Sequence, residues 1–205
     1  MGILGHRKQA PHISGYRPDA IVVGLGNPGT EYSKTRHNVG SDTVGILAGK
    51  LGVNFKKDRS SGCSLAKATR GDRVVLLAIP LVYMNESGVS ARSVLKMFPL
   101  DDMRSLVVVH DEMDIEPGKI KITVGGGAAG HNGIRSIMDH LHSGDFIRVR
   151  IGIGSPPSRE TGAKYVLSRP TGADRELIDS GISRAVEAIE LVVSEGVDAA
   201  MRSYN

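Results

Sequence analysis

Four short polar groups in this 205-residue chain carry the residue types that hydrolytic chemistry needs. Asn27 and His37 lie within IVVGLGNPGTEYSKTRHNVG, residues 21–40, and Asn85 lies in MNESG after LLAIPLVY. Asp111 follows LVVVH, and His131 with Asn132 closes GGGAAGHNG after KIKITV. A neutral imidazole with a pKa near ~6.5 can take a proton from water, while a hydrogen-bonded carboxylate fixes its tautomer and stabilises the imidazolium that forms. Asparagine amides complete the set, because their N–H groups donate to the oxyanion of a tetrahedral intermediate or grip a substrate backbone without adding charge. The combination points to hydrolysis of an ester or amide through activated water.

Rival chemistries lack their supports. The chain has no G-x-S-x-G elbow for a serine nucleophile, no H-E-x-x-H for zinc and no G-x-x-x-x-G-K-[ST] phosphate loop. Cys63 is the only cysteine, which excludes an internal disulfide and a multi-cysteine zinc site and suits a reducing compartment. Gly24-Leu25-Gly26-Asn27-Pro28-Gly29 does fit G-x-G-x-x-G, but a dinucleotide site also needs a helix opening inside the loop and an acidic residue about 20 positions on. Helical apolar spacing begins only at Val44, and GILAGKLGVNF, residues 45–55, contains no acid.

Of the seven histidines, His6 and His12 fall in the N-terminal stretch, His140 and His142 at the end of an expected helix, and His110 at the end of an apolar strand, where a core role is the plain reading. His37 and His131 remain as bases. Chemistry alone favours His37, because His131 follows a glycine run that serves equally as a backbone turn. The plain roles of Asn85 and Asp111 are helix N-cap and strand-end turn former.

These residues must be positioned by a scaffold, and the scaffold is legible as alternating elements. AIVVGL, RVVLLAI, SLVVVH, GKIKITV and FIRVRIGI read as strands; residues 42–51, 86–98, 132–141 and 173–195 read as helices. The last of these carries Ile178, Ile182, Ala185, Val186, Ile189 and Val193 on one face, a capping box at Thr171 and Asp174, and a stop at Gly196. VVLLAI and LVVVH are nearly all apolar and are expected to be central, whereas GKIKITV and FIRVRIG alternate and are expected to be half exposed. The predicted architecture is a single-domain three-layer α/β/α fold with a mostly parallel mixed sheet. In such sheets sites gather at the carboxyl ends of strands, which is where the four polar groups fall. Residues 155–172 are expected to form a mobile flap.

A formal charge of +4, with 40% hydrophobic and 23% charged residues, is ordinary for a globular chain, and no apolar run reaches the ~20 residues of a membrane span. Residues 1–18 are basic, without the apolar centre of a secretory signal, and are expected to form a flexible arm; the remainder, 19–205, forms one domain. Lys119 and Lys121 share one strand face and Arg148 and Arg150 another, while Arg159, Lys164 and Arg169 lie in the flap. Paired cations beside an Asn/His cleft suit a phosphate backbone, hence a nucleic-acid substrate.

GLGNPGTEYSKTRHNVG, YMNESG, HDEMD and a slightly altered GGHNG, in that order and at similar intervals, resemble the bacterial-type peptidyl-tRNA hydrolases from about Asp19 to near the C-terminus. The resemblance implies hydrolysis of the ester between a peptide and the 3′ ribose of tRNA, in the cytoplasm, by a monomer that needs no protein partner, membrane, metal or organic cofactor. It implies His37 as base and Asp111 as its orienting partner. Asn27 would distinguish blocked from free aminoacyl groups, Asn85, His131 and Asn132 would hold peptide, water or oxyanion, and Tyr32 and Tyr83 would line the channel. Lys121 and Arg150 would meet tRNA phosphate. Two departures stand out. Ala128 and Ala129 replace more flexible or polar residues before Gly130-His131-Asn132, and Thr123 replaces a lysine for the 5′ phosphate, expected opposite Arg150. The alternative from another class is a non-catalytic RNA-binding relative of the same fold.

Overall fold

The computed structural model describes residues 16–156 and 158–205, apart from the side chain of Arg159. The chain folds around a seven-stranded sheet: β1 (Ala20–Gly24), β2 (Lys56–Asp58), β3 (Cys63–Arg70), β4 (Arg73–Pro80), β5 (Leu106–Glu112), β6 (Ile120–Val124) and β7 (Ile147–Gly152), in the order β2-β3-β4-β1-β5-β7-β6. β4, β1, β5 and β7 run parallel in the middle, and β3 and β6 run antiparallel to their neighbours. Six α-helices accompany them among the described residues: α1 (Val39–Lys50), α2 (Ser87–Met97), α3 (Asn132–Leu141), α4 (Gly162–Val166), α5 (Gly172–Glu195) and α6 (Val197–Tyr204). None of these helices is long and apolar enough to cross a membrane.

Strand alternation divides the core into two layers of contact. Val22, Leu77, Val109 and Val149 face α1, α5 and α6, while Ile21, Val23, Leu76 and Val108 face α2 and α3. The stripe expected on α5 is buried as read, with each such aliphatic side chain contributing roughly 1.5–3 kcal/mol against its exposed state.

Several local expectations change. β2, β3 and α6 were not read from the sequence: KKD is too short and polar to register as a strand, and CSLAKATR mixes small and charged residues. β7 is not half exposed: Ile147, Val149 and Ile151 pack into the core on one face, and the Gly126–Gly127 stretch covers Arg148 on the other, leaving it 4% exposed. No capping box forms at α5, since the Thr171 side chain makes no cap and Asp174 instead accepts from Arg36. Residues 1–15 of the expected arm lie outside the described residues, but Tyr16 is packed against Phe98, with ring centroids 5.3 Å apart and Lys67 over its face. The flap is not a plain loop: it contains α4 and is tied down by Tyr165, Ser168 and Arg169.

One reversal matters for the site. β6 runs against β7, so its carboxyl end lies beside Ile147, away from the carboxyl ends of β1, β4 and β5. The Gly125–Gly130 stretch must therefore travel back along the sheet to deliver His131. Arg148 holds it on the way, donating 2.6 Å hydrogen bonds to the carbonyls of Gly126 and Gly127. On the outer side of β6, the Asn205 amide pairs with both Ile122 N (2.7 Å) and Ile122 O (2.8 Å), as a neighbouring strand would.

Candidate active site

Close backbone packing builds the first part of the site. A Cβ on Gly24 would collide with Gly40 O and Val44, and one on Gly26 with Ser41 Oγ. β1 and α1 therefore meet backbone to backbone, with Ser41 N of α1 donating to Leu25 O (2.8 Å), while Leu25 N continues the pairing with β5 by donating to Val109 O (3.0 Å). Only Gly29 of this loop takes a positive φ, 111°. GLGNPG is thus a packing device more than a tight turn, and α1 opens only at Val39, which removes the helix N-terminus that a dinucleotide pyrophosphate needs.

The loop holds Asn27 in a fixed sense. Asn38 brackets its backbone, accepting from Asn27 N (2.9 Å) and donating to Asn27 O (3.0 Å), while Asn27 Oδ1 accepts from Met84 N (2.8 Å). With the oxygen engaged, Nδ2 is the outward-facing group and makes no hydrogen bond to a described residue. Asn38 was missed in the sequence because RHN was read for its histidine alone.

His37 sits in a single 3₁₀ turn, Arg36–Asn38, and is buried. Its Nδ1 lies 2.8 Å from Asp111 Oδ1, and His131 Nε2 lies 2.9 Å from the same oxygen. The Asp111 carboxyl is held far below the usual carboxylate range: burial alone would raise it, but the two imidazoles together outweigh burial. It is therefore an acceptor, and both rings donate to it. His131 Nδ1 in turn accepts from Gly133 N (3.1 Å) and Ile134 N (3.2 Å), capping α3. Both nitrogens of His131 are engaged, whereas His37 keeps the lone pair of Nε2. Burial works against protonation of His37, but the charge and hydrogen bond of Asp111 prevail and raise its pKa. His110 donates from Nδ1 to Asp111 O (2.7 Å), and burial, with His131 nearby, pushes its pKa down to about 3, so it stays neutral.

His37, Asp111 and His131 offer ligand atoms within 4.8 Å of one another, a spacing open to a metal ion. Their hydrogen bonds describe a different unit: one carboxylate receiving two N–H donors, with the second His131 nitrogen already used by the helix. A cation would have to displace both donated protons and the cap.

A cavity of about 260 Å³ opens over His37, Asp111, His131 and Asn132, walled on its far side by Ala163 and Val166 of the α4 segment. Asn27, Tyr32, Tyr83 and Asn85 do not line it. They form a neighbouring strip in which Tyr32 and Tyr83 meet edge to face at 6.3 Å, Tyr83 is 54% exposed and Asn85 is exposed in the Met84–Glu86 turn. Asn85 does not cap α2; its N-cap residue is Glu86, without a side-chain bond.

A second groove, of about 490 Å³, lies across the glycine stretch and is lined by His110, Glu112, Thr123, Arg148 and Arg150. Its cations are less free than their number suggests. Arg148 is bound to the glycine carbonyls, and Arg150 Nη2 and Nε donate to Glu112 Oε2 at 2.8 and 3.1 Å. Glu112 was not singled out in HDEMD, although an acid beside Asp111 was the available signal. The strand register also corrects one expectation: Lys121 faces Arg150, and Thr123 faces Arg148. Arg169 is likewise engaged, with the carbonyls of Ser33, Thr30 and Glu31. Ala129, at φ 46°, stands between the two cavities in a conformation that costs a non-glycine residue roughly 1–2 kcal/mol.

Comparison with known proteins agrees with this geometry. The family described as peptidyl-tRNA hydrolase matches residues 21–205. The chain is 43% identical over 185 residues to the peptidyl-tRNA hydrolase of Mycolicibacterium vanbaalenii, covering 90% of this chain and 96% of that protein. It is 42% identical over 180 residues to that of Mycobacterium tuberculosis, covering 88% and 94%. The crystal structure of peptidyl-tRNA hydrolase from Acinetobacter baumannii superposes with a TM-score of 0.86 at 36% identity, covering 93% of this chain and 98% of that one. Purine nucleoside phosphorylase from Toxoplasma gondii, at a TM-score of 0.54 and 7% identity, shares the fold alone. A family match over residues 21–205, which takes in all four polar groups, with relatives 43% identical over most of their length, places the chain in the peptidyl-tRNA hydrolase family.

Proposed function

We propose that this chain hydrolyses the ester between a peptide and the 3′ ribose of tRNA, with His37 as general base and Asp111 as its orienting partner. The observation that carries the reading is the unequal treatment of two histidines by one carboxylate. His37 donates through Nδ1 and keeps Nε2 as a base, whereas His131 has no nitrogen left. Water gives a proton to His37 Nε2 as its oxygen adds to the ester carbonyl carbon. Amide N–H groups of Asn132 or Asn85 stabilise the oxyanion, and His131 holds Asp111 from the other side. Collapse breaks the bond to O3′, and the imidazolium returns its proton to that oxygen, releasing tRNA and peptide.

Asn27 supplies the preference for blocked amino groups. Its Nδ2 is a donor with Oδ1 already engaged, so it suits a peptide carbonyl and is mismatched to an ammonium, which only donates. Tyr32 and Tyr83 flank the chain end, and tRNA phosphate is met by Arg150 in the second groove and by exposed Lys121, its partner across the β6–β7 register. The reading places the protein with the translation apparatus in the cytoplasm, as a monomer acting on peptidyl-tRNA.

The test is turnover of a peptidyl-tRNA by His37→Ala beside wild type. General-base help is worth roughly 10²–10⁴ in rate, so kcat should fall by that factor while tRNA affinity is retained. Near-wild-type turnover would remove His37 from the role, and absence of turnover by the wild-type chain would leave the RNA-binding reading.

A further inference from the structure

Arg36, directly before His37 in the same three-residue turn, is a buried guanidinium with a full set of neighbours from the far end of the chain. Nη1 donates to Ser168 Oγ (2.8 Å), and Nη2 to Asp174 Oδ2 (2.8 Å). The plane lies over the Tyr165 ring, 4.4 Å from its centroid, and the Arg36 backbone N–H donates to Ser168 O (3.0 Å). Nε is buried without a partner, a desolvation penalty that the other contacts must offset. Tyr165 is fixed in turn by its hydroxyl, which donates to Ile153 O (2.7 Å) at the end of the sheet.

These partners bracket the α4 segment, whose Gly162, Ala163 and Val166 wall the cavity over His37. One side chain thus fastens the turn that presents the base to the wall that encloses it. An ion pair alone would need only a flexible lysine; a planar fork held by a ring, a hydroxyl and a carboxylate sets an orientation. We infer that Arg36 is a positioning residue of the hydrolytic reaction, seating the His37 turn and the α4 wall as one unit. The inference rests on His37 being the base. Arg175, next to Asp174 on α5, pairs instead with Asp179 of its own helix, and so provides an internal control.

The experiment compares Arg36→Met, Arg36→Lys, Asp174→Asn and Arg175→Gln in the full chain, with His37→Ala in parallel, by steady-state turnover of peptidyl-tRNA and amide exchange. Displacement of a catalytic group by about 1 Å costs on the order of 10²-fold, so Arg36→Met should lower kcat by about that factor with KM within about twofold. Arg36→Lys should recover less than a tenth of the loss. Asp174→Asn should lower kcat in the same direction and add nothing to Arg36→Met in the double variant. Arg175→Gln should keep kcat within about twofold. Exchange should quicken at residues 35–38 and 163–168 and not in β1 or β5. The inference is overturned if kcat holds in Arg36→Met and Asp174→Asn, if Arg175→Gln loses as much as Arg36→Met, or if exchange quickens equally in β1 and β5. A His37→Ala enzyme that still turns over overturns the base assignment itself, which the Arg36 results cannot imitate.

Discussion

The two cavities of this protein share Glu112 and Ala129, yet they treat charge in opposite ways. Over Asp111, a single buried carboxylate organises two imidazole rings and leaves one ring nitrogen, His37 Nε2, for work. In the second groove, two arginines are present and both are already engaged, one by backbone carbonyls and one by Glu112. Adjacent residues of β5 alternate between these regions: Asp111 points to one face, His110 and Glu112 to the other. The lesson is that the count of charged residues overstates the free charge in the groove, while the count of histidines overstates the available bases in the cavity.

The largest way to break the contrast is Asp111→Asn. Removing the charge that stabilises the imidazolium, with the shape kept, is expected to lower kcat by roughly 10²–10⁴ with little change in KM. The pH dependence should move with it. A general base works when neutral, so activity is present above the His37 pKa and lost as pH falls through it. That pKa is raised in the folded protein through Asp111, so the acid limb of kcat should shift to lower pH in any residual activity of the variant. An unshifted limb would mean that another group governs it.

His131 offers a smaller and divisible effect. His131→Asn keeps a good N-cap for α3 and loses the bond to the buried Asp111 carboxylate, so kcat should fall about tenfold and stability by roughly 1.5–3 kcal/mol. His131→Ala should lose in addition roughly 1 kcal/mol of stability, read by denaturant unfolding. Equal stability in the two variants would remove the capping role. Asn27→Ala should narrow the ratio of kcat/KM for N-blocked over free aminoacyl-tRNA by a few-fold to tenfold, the range of one hydrogen bond of roughly 0.5–1.5 kcal/mol. An unaltered ratio would free Asn27 from discrimination.

The smallest expected effect sharpens the groove. Thr123→Lys adds a cation opposite Arg148, whose own guanidinium is held by backbone carbonyls, as that of Arg150 is held by Glu112. Binding of tRNA with a 5′ phosphate should tighten and its salt dependence steepen by a slope of about one unit, with kcat at saturation unchanged. Equal tightening of tRNA lacking that phosphate would place the new charge against a different phosphate.

The layered fold was legible because β1, β4 and β5 are apolar runs and α5 has a clean helical stripe; these are the elements whose patterns match their burial. What escaped depended on partners far along the chain. β7 alternates in sequence but its second face is covered at Arg148 by the Gly126–Gly127 stretch, and Asp174 looks like a cap residue until Arg36 takes it. In the candidate site, residue types favoured His37 over His131 and the family resemblance paired His37 with Asp111, but neither showed which histidine kept a free nitrogen. That distinction needs the backbone N–H groups of Gly133 and Ile134, which no side-chain motif displays.

The pairing of Asn205 with Ile122 bears on how molecules of this protein meet one another. β6 is an outermost strand, and an outermost strand presents unpaired N–H and C=O groups that a second chain can extend into a shared sheet. Ile122 is the central residue of that five-residue strand, and a side-chain amide satisfies both of its outward groups. A visiting strand would find the ladder interrupted at its midpoint, so one terminal asparagine guards the sheet against edge-to-edge aggregation.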